Sequence, residues 1–520
     1  MKNFWKAVCL VLFLISPVNA EVNWLRSPFF NNVGGLNNSA DSTAISDNEA
    51  ADIQNIVFTT GGAIKKRDGF TLINSTATGA SVACTGVTYY SPTSGSKFLV
   101  SVSDDDKIRK MDYSVGGGPD GTWDDITGSI SFNVSNSLAS FAVGEDQLLI
   151  EDGLNTTAPY VYTGTGNASA LGGSPPNCSV IAYHKRHAFC AGNDTNQSTL
   201  YHSAIDNVAD WTSTTSGNFN VETNDGSIIR ALLPGFDALY VFKDFSIWRV
   251  TGDDEDTWEL QRMVADIGSR SPTSVKLIGN DIFFVSDQGD VYLYDGGVKL
   301  RRISAKIDGT LDGANFARFQ YSVAENFDDD YYLAISNAGV SQNDTVLLFD
   351  TFNLAWTKFT GIKASCISIA DGGVGENILV FGNYNGLFYE YPDGENDAGA
   401  AITGSYLTKA FLFPQISLNK TLRKMYLYAN QEGNFNINID VKKDFESTGF
   451  TDTVNLSGSS SLWGTAVFGT DVYGGQNVII DSLEPNRTGK FFQFRFYNEN
   501  ADQPFLIRGW ELLFEQSDRI

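Results

Sequence analysis

Three histidines and a cysteine crowd one short stretch: His184, His187, Cys190 and His202. Imidazole and thiolate are the ligand types of tetrahedral zinc, so the group invites a metal reading. Zinc needs ligands that converge. Reading Tyr183 to Ala191 as one strand puts His184 and His187 on opposite faces, while His184 and Cys190 share one. Four-ligand closure is not expected, and the histidines beside Lys185 and Arg186 read as partly exposed polar strand residues.

Carboxylates gather in three clusters: Asp104-Asp105-Asp106, Asp253-Asp254-Glu255-Asp256 and Asp328-Asp329-Asp330. None has the alternating ligands, central glycine and distal glutamate of an EF-hand loop. A carboxylate pair could serve glycoside hydrolysis. Each cluster, however, falls in a hairpin turn or inter-strand loop, where solvated acids keep strand edges from pairing. There is no Gly-x-Ser-x-Gly elbow leading a helix, no P-loop, and no Gly-x-Gly-x-x-Gly in a βαβ setting. Gly34-Gly35 and Gly116-Gly117-Gly118 are turn signals. The expectation is therefore no catalytic, cofactor-binding or metal-binding residue, and no cofactor. The five cysteines are Cys9, Cys84, Cys178, Cys190 and Cys366, without a Cys-x-x-Cys. This odd, scattered set does not read as a disulfide framework, although Cys178 and Cys190 could bridge.

Composition sets the outer limits. The chain has 520 residues, 36 basic and 61 acidic side chains, and a net charge of −25. Hydrophobic residues make up 42%, which excludes a disordered chain. The acidity excludes a general nucleic-acid binder, because phosphate neutralisation needs a basic face. Fifty glycines and 13% aromatics lean toward strands and tight turns. Asn-x-Ser/Thr sequons such as Asn74, Asn155 and Asn193 carry little weight in a chain so rich in these residues. Residues 1–20 have positive ends, an apolar run from Ala7 to Ile15, and small residues at Val18 and Ala20. That is the layout of a secretory signal peptide, too short to span a bilayer. The alternative is a retained N-terminal arm.

Hydrophobic periodicity is strand-like throughout, and one unit recurs. An apolar strand, a polar turn and an aromatic-rich strand begin at Phe98, Leu148, Ala188, Leu239, Ile282, Tyr332 and Ile378, at spacings of 40 to 51 residues. Trp123, Trp211, Trp258 and Trp356 keep the same beat at one- or two-unit intervals. Repeats of this length with four strands each specify a β-propeller. The reading is an all-β protein: a propeller of six or seven blades over 83–400, then a small C-terminal β-sandwich (platform) domain over 401–520. Residues 21–82 read as an extended segment leading into the propeller, and the acidic, glycine-containing stretch from Asp393 as a linker. In the last domain Phe492, Phe494 and Phe496 alternate with Gln493 and Arg495, a strand with one buried face.

Ahead of the propeller stand Gly34-Gly35-Leu36-Asn37, then Glu49-Ala50, Gln54-Asn55, Gly61-Gly62 and Arg67-Asp68-Gly69-Phe70. This series resembles the opening of the tail nozzle or hub proteins of short-tailed bacteriophages, the packaged-DNA stabilisation family. Phe70 stands where tyrosine is common there. Leu200-Tyr-His-Ser, running on to Asp210-Trp211-Thr212, resembles a blade edge of the same group, and Arg423-Lys-Met-Tyr-Leu with Phe505-Leu-Ile-Arg-Gly-Trp resembles its final sandwich. The resemblance implies a virion protein without catalysis. It implies a homo-oligomeric ring, a hexamer, joined to an adaptor or connector ring and to tail fibre or spike proteins. Genomic DNA would pass through the channel without specific binding, and an acidic lining suits that role. No individual channel-lining residue is assignable from the sequence. A leader peptide fits poorly with assembly in the cytoplasm. The alternative is a secreted propeller, a polysaccharide-degrading enzyme or a carbohydrate-binding adhesin.

Overall fold

The computed structural model describes residues 24–516 except 79–81, 115–117, 133–136, 223, 255, 374, 414–416 and 458–477. The leader-like segment 1–20, Cys9, Gly116-Gly117 and Glu255 lie outside the described residues. The strands of the described residues fall into nine sheets. Seven of them are propeller blades, antiparallel sheets whose strands follow one another in chain order in the first six. The first blade carries an additional two-residue strand, Asp124–Asp125, on its third strand. A short α-helix, Asp308–Leu311, follows blade 5.

The innermost strands of the blades are Cys84–Tyr90, Ser140–Gly144, Val180–His184, Ile229–Gly235, Lys276–Ile278, Val323–Phe327 and Cys366–Gly373. Each packs beside the next, and the last lies against the first, so the ring is closed. The seven strands that mark the repeat in the sequence are thus the second of each blade. The second strand is the most apolar because both its faces are covered: Phe98–Ser103 is buried at every position. The innermost strands carry small and hydroxyl residues on their channel side, such as Thr85, Gly86 and Ser140, which dilute their apolar signal. Trp258 and Trp356 precede or lie within the outermost strands of blades 4 and 6.

Blade 7 takes its fourth strand from the other end of the chain. Thr71–Leu72 pairs with Phe388–Tyr391, so a segment ahead of blade 1 completes the last blade. Residues 24–66 go elsewhere, into the C-terminal sandwich. Its seven-stranded sheet joins Trp24–Phe29, Ile56–Phe58 and Ile64–Lys66 with Lys420–Asn430, Val478–Leu483, Arg487–Gly489 and Leu506–Gln516. Its six-stranded sheet joins Gly35–Leu36 and Glu49–Gln54 with Gly404–Thr408, Asn436–Lys443, Phe450–Asn455 and Phe492–Asn498. The segment expected to be a simple extended lead therefore supplies five of the thirteen strands of the two sandwich sheets, and the propeller is inserted between this part and the C-terminal part. Phe492, Phe494 and Phe496 are fully buried between the sheets, as their alternation predicts.

One hydrophobic core crosses the boundary. Phe283 of blade 5 and Tyr331, Leu333, Phe349 and Trp356 of blade 6 belong to the same buried cluster as Leu36, Ile53, Tyr406, Phe494 and Trp510 of the sandwich. Burial of apolar area is worth roughly 25 cal/mol per Å², and here a single cluster holds both parts.

Candidate functional site: histidine hairpin, axial channel and junction

The histidine stretch is not one strand. Val180–His184 and His187–Ala191 form a hairpin, and Lys185 and Arg186 make its two-residue turn at φ of 46° and 70°. Such turns suit the twist of paired strands and usually use Asn-Gly; Lys-Arg gives no such signal in sequence. His184 therefore stands directly opposite His187, not on an opposite face of a single strand. His187 is fully buried, with Nδ1 2.7 Å from the Ser203 carbonyl oxygen. His202 lies 5.7 Å from it, ring to ring, and meets Trp258 edge-on at 4.5 Å. Burial, aided by Lys185, pushes the His184 pKa down. These rings complete an aromatic cluster with Phe189 and Phe219. Among the described residues, the group of three side chains able to hold a metal is Glu151, Cys178 and Cys190, which includes none of the histidines.

The four described cysteines are paired: the Cys178–Cys190 bridge is the one the sequence left open, whereas the other goes against the expectation from their scatter. Cys84 of blade 1 bonds to Cys366 of blade 7, with Cα atoms 6.1 Å apart, and Cys178 bonds to Cys190. The first bond spans 282 residues, a pairing that spacing alone does not suggest.

The acidic clusters mostly behave as turns. Asp104 to Asp106 link two strands of blade 1, and Asp105 receives both Nη atoms of Arg109. Asp253 pairs with Lys185 at 2.9 Å. Asp330 differs: it opens the second strand of blade 6 and is partly buried. Burial, with repulsion from Asp350 and Asp328, pushes its pKa up to about 7. The folded state then holds a proton between about pH 4 and 7 that the unfolded chain has released. Wild-type stability is expected to fall as pH rises through that window. Asp330→Asn keeps an acceptor for the Thr351 amide, which donates at 2.8 Å, and removes the charge. The variant is expected to be more stable than wild type by about 1–3 kcal/mol at pH 8, with the gap closing near pH 4. Urea unfolding at both pH values measures this; a gap independent of pH would contradict it.

The propeller axis holds a cavity of about 280 Å³, lined by the innermost strands of all seven blades. Thr85, Ser140, Thr273 and Ser368 supply hydroxyls, and Val87, Ile181 and Leu232 supply apolar wall. Lys276 and Glu325 also line it and pair at 2.7 Å. The channel is thus narrow and internally neutralised.

A dense polar network sits where sandwich and propeller meet. Arg67 is fully buried and grips Asp397 with both Nη atoms, at 2.8 and 2.6 Å. Its Nε donates to Asn55 Oδ1 at 2.9 Å, and the remaining donors reach the Asp68 and Thr360 carbonyls. Asn55 takes the left-handed conformation at φ 55° and also bonds Thr360 and the Thr403 carbonyl. Gln54 donates to Thr360 Oγ1 at 2.8 Å. Asn37 donates to the buried Glu49, which pairs with Lys306 at 2.9 Å. Gly35, at φ 82°, lies so close to the Trp356 amide that a Cβ would sit 2.8 Å from its nitrogen. A Cβ on Gly69 would collide with the Asn396 carbonyl. Phe70 packs on Phe381 and Tyr389 of blade 7 at 5.2 and 5.0 Å. The stretch from Asp393, read as a linker, is pinned here through Asp397. Neighbouring Lys66 is fully buried, donates to the Asn500 and Gln503 carbonyls, and has its pKa pulled down to about 8 by burial.

No protein-family model matches the chain, and no curated protein matches it. Solved structures do. The computationally designed Ika8 protein is 12% identical at a TM-score of 0.38, covering 62% of this chain and 100% of its own. The N-terminal domain of Nup159 is 11% identical at 0.41, covering 65% and 98%. YCF48, solved bound to D1 peptide, is 12% identical at 0.37, covering 61% and 96%. At these scores the likenesses carry no statement about function.

Proposed function

We propose that the chain is a non-catalytic structural subunit of a bacteriophage tail, a nozzle or hub protein that assembles into a ring below the head–tail connector. The observation that carries this reading is the junction. Eight of the residues on which the resemblance rests, Gly35, Asn37, Glu49, Gln54, Asn55, Arg67, Gly69 and Phe70, lie at the junction of propeller and sandwich. That is a motif for rigidity, which a load-carrying ring subunit needs. The axial cavity of about 280 Å³ is far too small for duplex DNA, so in this reading the DNA channel lies between copies. Its one lining carboxylate, Glu325, is paired to Lys276, which favours a structural role over a hydrolase that needs a free acid pair in the funnel. A net charge of −25 suits a conduit that does not hold phosphate. Mass photometry of the purified full chain tests assembly: discrete ring-sized oligomers are expected, and monomers alone across concentrations would contradict it.

A second reading, a secreted propeller with a cleaved leader, is favoured by a specific observation. All four cysteines after residue 20 are paired in disulfides, a pattern of oxidising compartments. Intact-mass measurement distinguishes the two. An intact Met1 with oligomers supports the tail subunit, and cleavage after Ala20 with monomers supports the secreted form.

A further inference from the structure

Glu151 is placed where a propeller blade gains nothing from a carboxyl group. It ends the second strand of blade 2 and is fully buried. In the sequence it reads as part of a polar turn, yet its side chain points into the interior toward blade 3. Oε1 lies 2.8 Å from Cys178 Sγ, and Oε2 has no hydrogen-bond partner. The charged neighbour acting on it is Asp152, a like charge. A buried carboxyl group with an open oxygen and no cation is costly to keep.

Cys178 precedes the first strand of blade 3, and Cys190 lies in its second. Both are fully buried. The ligand atoms of Glu151, Cys178 and Cys190 all lie within 4.8 Å of one another. A disulfide accounts for the two sulfurs but not for the carboxyl group beside them. Two thiolates and a carboxylate form a ligand set for a borderline-soft dication, zinc above all.

We propose that Glu151, Cys178 and Cys190 form a redox-gated zinc site. Under oxidising conditions the cysteines are closed as the disulfide. A dithiol reductant opens it: two electrons and two protons pass to the cysteines, giving two thiols, while the dithiol closes to its own disulfide. Zinc then binds both sulfurs and the carboxylate, displacing the two thiol protons and any proton on Glu151. A fourth position is left for water or a backbone carbonyl. The disulfide staples blade 3 to itself, whereas the metal would tie blade 2 to blade 3. The proposal does not depend on the tail reading, since it concerns the chain in either compartment.

The test uses the full chain, reduced with dithiothreitol, desalted anaerobically and loaded with Zn²⁺ or Co²⁺. The reduced protein is expected to retain one zinc per chain by atomic spectroscopy, and the oxidised protein none. Co²⁺ is expected to give sulfur-to-metal charge-transfer absorption. Glu151→Gln is expected to weaken zinc binding by roughly tenfold or more, and Cys366→Ser to leave the stoichiometry at one. Reduced wild type that binds no zinc, or a Co²⁺ spectrum without sulfur charge transfer, would overturn the proposal. Since wild type alone gives both readouts, a variant that fails to fold does not rescue it. Wild-type affinity in a folded Glu151→Gln variant would also overturn it.

Discussion

Replacing Arg67 with alanine is expected to destabilise the protein by about 3–5 kcal/mol, because it strands a buried carboxylate. Arg67 has no exposed surface, and Asp397 is only 8% exposed. All five guanidinium N–H groups have acceptors: two on Asp397, one each on Asn55, Asp68 and Thr360. These partners come from the N-terminal segment, from blade 6 and from the chain leaving blade 7, so one side chain ties three regions. Arg67→Lys is expected to recover little, since an ammonium has three donors and no planar fork. Replacing Asp397 as well, in Arg67→Ala/Asp397→Asn, should cost less than the sum of the single changes, because no unpaired charge remains. Urea unfolding of the four proteins measures the coupling. A loss below about 1 kcal/mol for Arg67→Ala would show that the junction does not depend on it.

The second large effect concerns ring closure. Removing the Cys84–Cys366 bond, by Cys84→Ala/Cys366→Ala, is expected to cost roughly 2–5 kcal/mol. The bond joins the innermost strands of the first and last blades and closes a span of 282 residues, so it constrains the unfolded chain over most of its length. The seam is also held by Thr71–Leu72 on blade 7, and the variant is therefore expected to fold with a lowered midpoint. Thermal unfolding with and without reductant checks this: reductant should shift wild type strongly and the double variant much less. An unchanged midpoint in the double variant would contradict the account.

How far the sequence showed this structure depends on how local each feature is. The propeller was legible because its signal is local: Phe98–Ser103 and Lys107–Ser114 pair across a three-residue turn, and the same unit occurs seven times. The blade phase was not, because the innermost strands face a channel with threonine and serine and look less apolar than their neighbours. The sandwich showed only its C-terminal half. Pairings such as Trp24 with Glu515, or Ile64 with Ile507, join chain ends, and no periodicity reports a partner 400 or more residues away. The hairpin at Lys185-Arg186 lacked turn residues, so two histidines were placed on the wrong faces. Arg67 was visible only as part of a family-like string; its burial and its partner Asp397 were not. Glu151 looked like turn polarity because Asp152 and Gly153 follow it, whereas the strand ends one residue later than that pattern suggests.

The proposed tail role requires a rigid propeller–sandwich block that assembles around a channel. Cryo-electron microscopy of the purified full-length chain tests it most directly. Closed rings of identical subunits around an opening wide enough for duplex DNA are expected, with propeller and sandwich in the same relation in every copy. Isolated monomers at all concentrations, or propellers that swing freely against their sandwiches, would contradict it.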